Sequence, residues 1–126
     1  MRLVDTDVLV DILRGHPSGI AWFASLDALP AVPGLVVMEL LAGCSDEREA
    51  RRVDTLVGPL PLIWPTEADC LRALATFRAR RLSHGLGLLG ALVAACAVGA
   101  DATLYSFNAK HYAAVADLAI EQPYSR

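Results

Sequence analysis

Short apolar runs that alternate with stretches of helical spacing restrict the fold of this chain more than any other feature. Arg2 to Val4 reads as a strand, and Val8 to Arg14 carries Val8, Leu9, Ile12 and Leu13 at helical spacing before Gly15 stops it. A helix from Pro17 to Leu29, with Ser18 as its cap, precedes a strand at Ala31 to Val32 between two prolines. Leu35 to Ala42 reads as a helix ended by Gly43, and Ser45-Asp46-Glu47-Arg48 opens another that runs to about Val57. Leu60 to Trp64 is a short strand, and Thr66-Glu67 starts a helix that ends in the cluster Arg78, Arg80 and Arg81. A buried helix from Leu88 to Val98, a strand at Thr103 to Ser106, a helical turn at Lys110 to Ala114 and a strand at Leu118 to Ile120 complete the order. Such alternation implies an α/β fold: a mostly parallel sheet of four to five short strands covered by helices on both faces.

With 126 residues and 55% hydrophobic content, residues 1–126 make one domain around one core. The balance of 11 basic and 14 acidic residues excludes a strongly charged protein that coats nucleic acid, but leaves room for a local basic patch beside a carboxylate cleft. Cys44, Cys70 and Cys96 are odd in number and set in apolar or helical patterns, which suits buried thiols in a reducing cytoplasm. Asp5 and Asp7 interrupt the first apolar run, so no signal peptide is expected. The apolar stretch from Leu86 to Ala100 is shorter than the roughly 20 residues that span a bilayer, and no membrane association is expected.

In parallel sheets, ligands gather at the carboxyl ends of the strands. Asp5 follows the first strand directly, and Asn108 follows the strand at Thr103 to Ser106 by two residues. Glu39 lies mid-helix, where its side chain can reach inward, and Gly90 lies in the first turn of a helix. These four positions can converge. Each has a plainer reading when taken alone: Asp5 as a helix cap, Asp7 as a first-turn acid favoured by the helix dipole, Glu39 as a solvated helical residue, Asn108 as a turn residue, and Gly90 as a close-packing position. Their joint pattern is what favours a site.

The chain resembles the PIN-domain ribonucleases, and within them the toxins of VapC-type toxin–antitoxin pairs. The resemblance is carried by Leu3-Val4-Asp5-Thr6-Asp7 with Leu9 and Asp11, by Met38-Glu39-Leu40-Leu41-Ala42-Gly43, by the run from Gly85 to Ala95, and by the run from Thr103 to Tyr112. It implies a three-layer α/β/α fold and hydrolysis of RNA phosphodiester bonds with Mg2+ or Mn2+. Asp5 and position 90 match the family's main metal ligands. Glu39 and Asn108 match the acid and amide that complete the shell, which makes Asp5, Glu39 and Asn108 the candidate catalytic set. Thr6 and Ser106 match hydroxyl residues that orient it, and Asp7 is at most a supporting residue behind them. A cognate antitoxin, an RNA substrate and a homodimer are the implied partners. Leu9, Ile12, Leu13, Leu40, Leu41 and Val53 are candidates for the antitoxin groove. Arg14, Arg80, Arg81, His84 and Lys110 are candidates for RNA phosphate contacts.

The departure from the family pattern is Gly90, which has no side chain to offer a metal. Loss of one carboxylate lowers the negative charge that holds a cation, so weak metal binding and impaired cleavage are expected. A natural loss and an engineered substitution both fit; the intactness of the rest favours engineering or a recent loss. The alternative reading is a non-catalytic PIN-fold module that binds antitoxin or RNA. A remoter one, a haloacid-dehalogenase-like phosphatase, is suggested by Asp5-Thr6-Asp7. It lacks a late acidic pair, and Lys110 is the chain's one lysine.

Overall fold

The computed structural model describes all 126 residues. Its elements are β1 (Arg2–Val4), α1 (Thr6–Leu13), α2 (Pro17–Ser25), β2 (Val32–Pro33), α3 (Gly34–Ala42), α4 (Glu47–Val57), β3 (Leu62–Ile63), α5 (Glu67–Arg80), α6 (Leu88–Gly99), β4 (Thr103–Tyr105), α7 (Ala109–Tyr112) and β5 (Ala119–Glu121). Every strand pairing is parallel. Three strands, in the order β1-β4-β5, form one sheet, with Leu3 opposite Leu104 and Leu104 opposite Ile120. The pair β2-β3 is attached to it through a single bridge between Leu3 and Ala31. Pro30 and Pro33 explain this seam, because proline has no N–H to give to a ladder and the segment between them pairs only briefly.

The core lies where β1 and β4 meet the helices. Leu3, Val4, Leu9 and Leu104 are fully buried, and α6 adds Val93, Ala94 and Ala97. Small residues let α6 approach its neighbours closely, and a Cβ at Gly99 would collide with the carboxylate of Asp69 on α5. Asp69 is itself buried and fixes the start of α5. The Asp69 N–H donates to Thr66 Oγ1 at 3.1 Å, and the Thr66 N–H donates back to Asp69 Oδ2 at 2.9 Å.

Several sequence expectations need correction. Helix α1 begins at Thr6 rather than Val8, because Asp5 caps it: the Thr6 N–H donates to Asp5 Oδ1 at 2.8 Å. Helix α2 is capped by His16, not Ser18, with the Gly19 N–H donating to His16 Nδ1 at 3.3 Å. It ends at Ser25 instead of Leu29, since Leu26 turns to extended geometry, and β3 is trimmed to two residues. Cys96 is buried and Cys44 half-buried, but Cys70 is exposed on α5, so not all three thiols lie in the core. Burial pushes the Cys96 thiol up to about 11. No helix is long and apolar enough to cross a membrane.

Candidate functional site

The carboxyl end of β1 delivers Asp5, which is 5% exposed and yet lines a hollow of about 160 Å³. Glu39 from α3, Gly90 from α6 and Asn108 at the start of α7 line the same hollow, together with Thr6, Leu86, Leu89, Val93, His111 and Tyr112. Four positions separated by most of the sequence therefore share one small cavity at the carboxyl ends of the strands. Gly90 contributes only backbone. A Cβ built there would lie 3.3 Å from Leu86 Cδ1, 3.7 Å from Tyr112 Cε1 and 3.9 Å from Tyr112 Oη, so a side chain fits if Leu86 gives slightly.

Asp5 is held entirely by neutral donors. Ser106 Oγ and Tyr112 Oη both donate to its Oδ2, each at 2.8 Å, while the Thr6 N–H holds Oδ1. Thr6 Oγ1 donates in turn to Glu39 Oε1, tying α1 to α3. Because β4 stops at Tyr105, Ser106 is free to turn its hydroxyl inward, and its Oγ accepts the Asn108 N–H at 3.0 Å. Burial, reinforced by Asp5, pushes the Tyr112 phenol far above its ordinary range, so it stays a protonated donor.

Asp7 does not line the hollow. It supports the loop behind it, where its Oδ2 accepts the Phe107 N–H at 2.9 Å and lies 3.4 Å from Ser106 Oγ. Its Oδ1 is buried without a partner. Burial, and then the neighbouring Asp5, raise the Asp7 pKa above the ordinary carboxylate value.

The basic candidates separate. Arg14 lines a second groove of about 440 Å³ that shares Thr6 and Glu39 with the acid hollow, and Arg52 joins it there. Arg80, Arg81, His84 and Lys110 line neither space. Of the proposed groove residues, Leu9 is fully buried in the core, Leu40 and Val53 are buried but border the 440 Å³ groove, and Leu41 is exposed. Ile12 and Leu13 do line an open groove of about 660 Å³, with Phe23, Leu56 and the arginines Arg48, Arg51 and Arg52 of α4. The sequence reading missed His111 and Tyr112 as pocket walls. Their spacing held a usable signal: they follow Asn108 by three and four residues, one helical turn, and so return to the face of the cap.

Asp5, Glu39 and Asn108 line one cavity, and the hard oxygen ligands that such side chains carry, completed by water, suit Mg2+ or Mn2+. The residues thus fit one hydrated ion. No group of three or more acids, histidines or cysteines stands together, however, as a closed metal cage requires.

A family model described as PIN domain matches residues 2–118. The chain is 32% identical over 130 residues to Ribonuclease VapC19 of Mycobacterium tuberculosis, an alignment that covers 98% of this chain and 100% of the relative. Its backbone is similar to a toxin-antitoxin complex from Klebsiella pneumoniae, with TM-score 0.81 and 20% identity over 100% of both chains. It is also similar to VapBC2 from Rickettsia felis bound to a DNA fragment from its promoter, with TM-score 0.75 and 22% identity over 95% of this chain and 96% of that one.

Proposed function

The chain belongs to the PIN-domain family of nucleases, and from that premise we propose that it is the toxin of a VapBC-type toxin–antitoxin pair, a cytoplasmic divalent-metal-dependent endoribonuclease whose cutting is impaired by Gly90. One observation supports this most: Asp5, Glu39, Asn108 and the bare position 90 converge on one hollow at the carboxyl ends of the strands. Asp5, Glu39 and Asn108 are the residues that would hold Mg2+ or Mn2+. A bound ion of this kind supplies Lewis-acid polarisation of a phosphoryl oxygen and lowers the pKa of water. Thr6 and Ser106 orient the two carboxylates, Asp7 anchors the Ser106–Phe107 loop, and Arg14 with Arg52 lines the groove along which flanking RNA phosphates would run.

The antitoxin would occupy the larger groove, where Ile12, Leu13 and Phe23 offer apolar contact and Arg48, Arg51 and Arg52 offer positive charge. A homodimer would draw on the exposed Leu71, Leu74 and Leu88 of α5 and α6. The larger groove shares no residue with the acid hollow, which supports a second reading: a module that holds its antitoxin without cutting RNA.

The test compares cleavage of total RNA by this chain and by Gly90→Asp, with and without a chelator. Metal-dependent cutting at least tenfold faster in the aspartate form is expected. Equal cleavage by both forms would overturn the role given to position 90. No cleavage by either, with antitoxin still bound, would favour the module.

A further inference from the structure

Asp5 Oδ2 has two lone pairs, and two hydroxyl groups use them. Ser106 reaches it from the loop behind the cavity and is not part of the wall, whereas Tyr112 is part of the wall and donates from the cavity side. Oδ1 accepts a single bond, from the Thr6 N–H, so Oδ2 is the oxygen whose acceptor capacity is full. The phenol is fixed in place: Tyr112 is 6% exposed, and its N–H donates to the Asn108 carbonyl at 3.2 Å.

We propose that the Tyr112 hydroxyl takes the cavity-facing position on Asp5, so that this chain keeps its acid hollow in a hydrogen-bonded form in which a cation gains Oδ2 only by displacing the phenol. Tyr112 is thus a positioning residue that sets cation affinity through Asp5. Gly90 belongs to the same device. A carboxylate at position 90 would start 3.9 Å from Tyr112 Oη at its Cβ and would contest the same proton, so the bare glycine leaves the phenol to Asp5 alone. The inference rests on the reading that a divalent cation binds against Asp5.

The experiment is a Mn2+ titration followed by the electron paramagnetic resonance signal of the free ion, made on the parent, Tyr112→Phe, Gly90→Asp and the double variant. Thermal melting is recorded in chelator and in Mn2+. Removing the phenol should tighten Mn2+ binding roughly tenfold, the equilibrium equivalent of one hydrogen bond to a charged group. Tyr112→Phe should also melt lower than the parent in chelator and gain more on adding Mn2+. A purely structural role would lower the melting temperature and leave Mn2+ affinity equal or weaker, which overturns the proposal. If the parent and Tyr112→Phe both bind too weakly to measure, the same comparison within the Gly90→Asp background decides it. Asp5→Asn in that background separates the two levels: undiminished Mn2+ binding there would refute the cation site itself, whatever Tyr112 does.

Discussion

Helix α1 carries carboxylates toward two regions that treat them in opposite ways. At its start, Asp5 meets a backbone N–H and two hydroxyls, and no basic side chain donates to it. At its far turn, Asp11 meets a full counter-charge. Arg126 Nε and one of its terminal nitrogens reach the Asp11 oxygens at 3.0 and 3.2 Å, and Tyr124 Oη donates to Oδ2 at 2.8 Å. The Arg126 guanidinium also sits 4.0 Å from the centre of the Phe107 ring, and Tyr124 packs edge-on against that ring. Burial alone would raise the Asp11 pKa, but the hydrogen bonds from Arg126 and Tyr124 hold it below the ordinary value. The difference teaches where charge has been left for an outside partner. Asp11 is closed as a structural clasp, while the acid hollow retains negative charge that the protein itself does not neutralise.

The largest break in this contrast should come from Asp5→Ala. It strips an acceptor from three donors, two of them buried hydroxyls, and should lower unfolding stability by about 2–4 kcal/mol in urea titration. The same change in the Gly90→Asp form should abolish Mn2+ binding and chelator-sensitive cleavage. Arg126→Ala should behave differently. With its side chain nearly half exposed, it should cost about 1 kcal/mol and leave Mn2+ affinity unchanged. Loss of metal binding in that variant would join the two regions that the geometry separates.

Asp7 sits between them and gives the smallest effect. Because its pKa is raised in the folded state, the native chain binds the proton more tightly than the unfolded one, so Asp7 makes stability fall as pH rises from the unfolded value of about 4 through the folded value. Asp7→Asn should remove that fall and match the parent in acid while exceeding it near neutrality. Asp11 has the opposite sign, its contribution being present at neutral pH and lost as pH falls through its lowered folded value. Urea midpoints of the parent, Asp7→Asn and Asp11→Asn across this range would separate the two slopes.

Much of this was legible in the sequence because it is local. A strand that ends at an acid, a helix opened by Thr66-Glu67, and glycine after a helical run each write their geometry within four residues. The parallel pairing of the strands and the expectation that positions 5, 39, 90 and 108 can meet came from the rules of α/β sheets and from the resemblance, and the fold has the four positions at one cavity; the strand order itself was not legible. What escaped was set by distant contacts. Leu26 and Leu29 continue the helical spacing of α2, but the chain turns out after Ser25, whose hydroxyl donates to the Trp22 carbonyl, and Arg2 pairs with Asp27 beyond it. Tyr124 and Arg126 stand in a segment with no periodicity, and only folding shows that they reach Asp11.

The acid hollow is also late to exist. The bond from Tyr112 to Asp5 spans 107 residues, and β1 finds its main partner in β4, so neither can form while the chain is still short. During synthesis, β1 emerges well before its main partner and has only the bridge at Ala31 to pair with until β4 and α7 have left the ribosome. A nascent chain therefore holds no complete carboxylate pocket until Tyr112 has been added, and whatever that pocket does begins only after α7 has emerged.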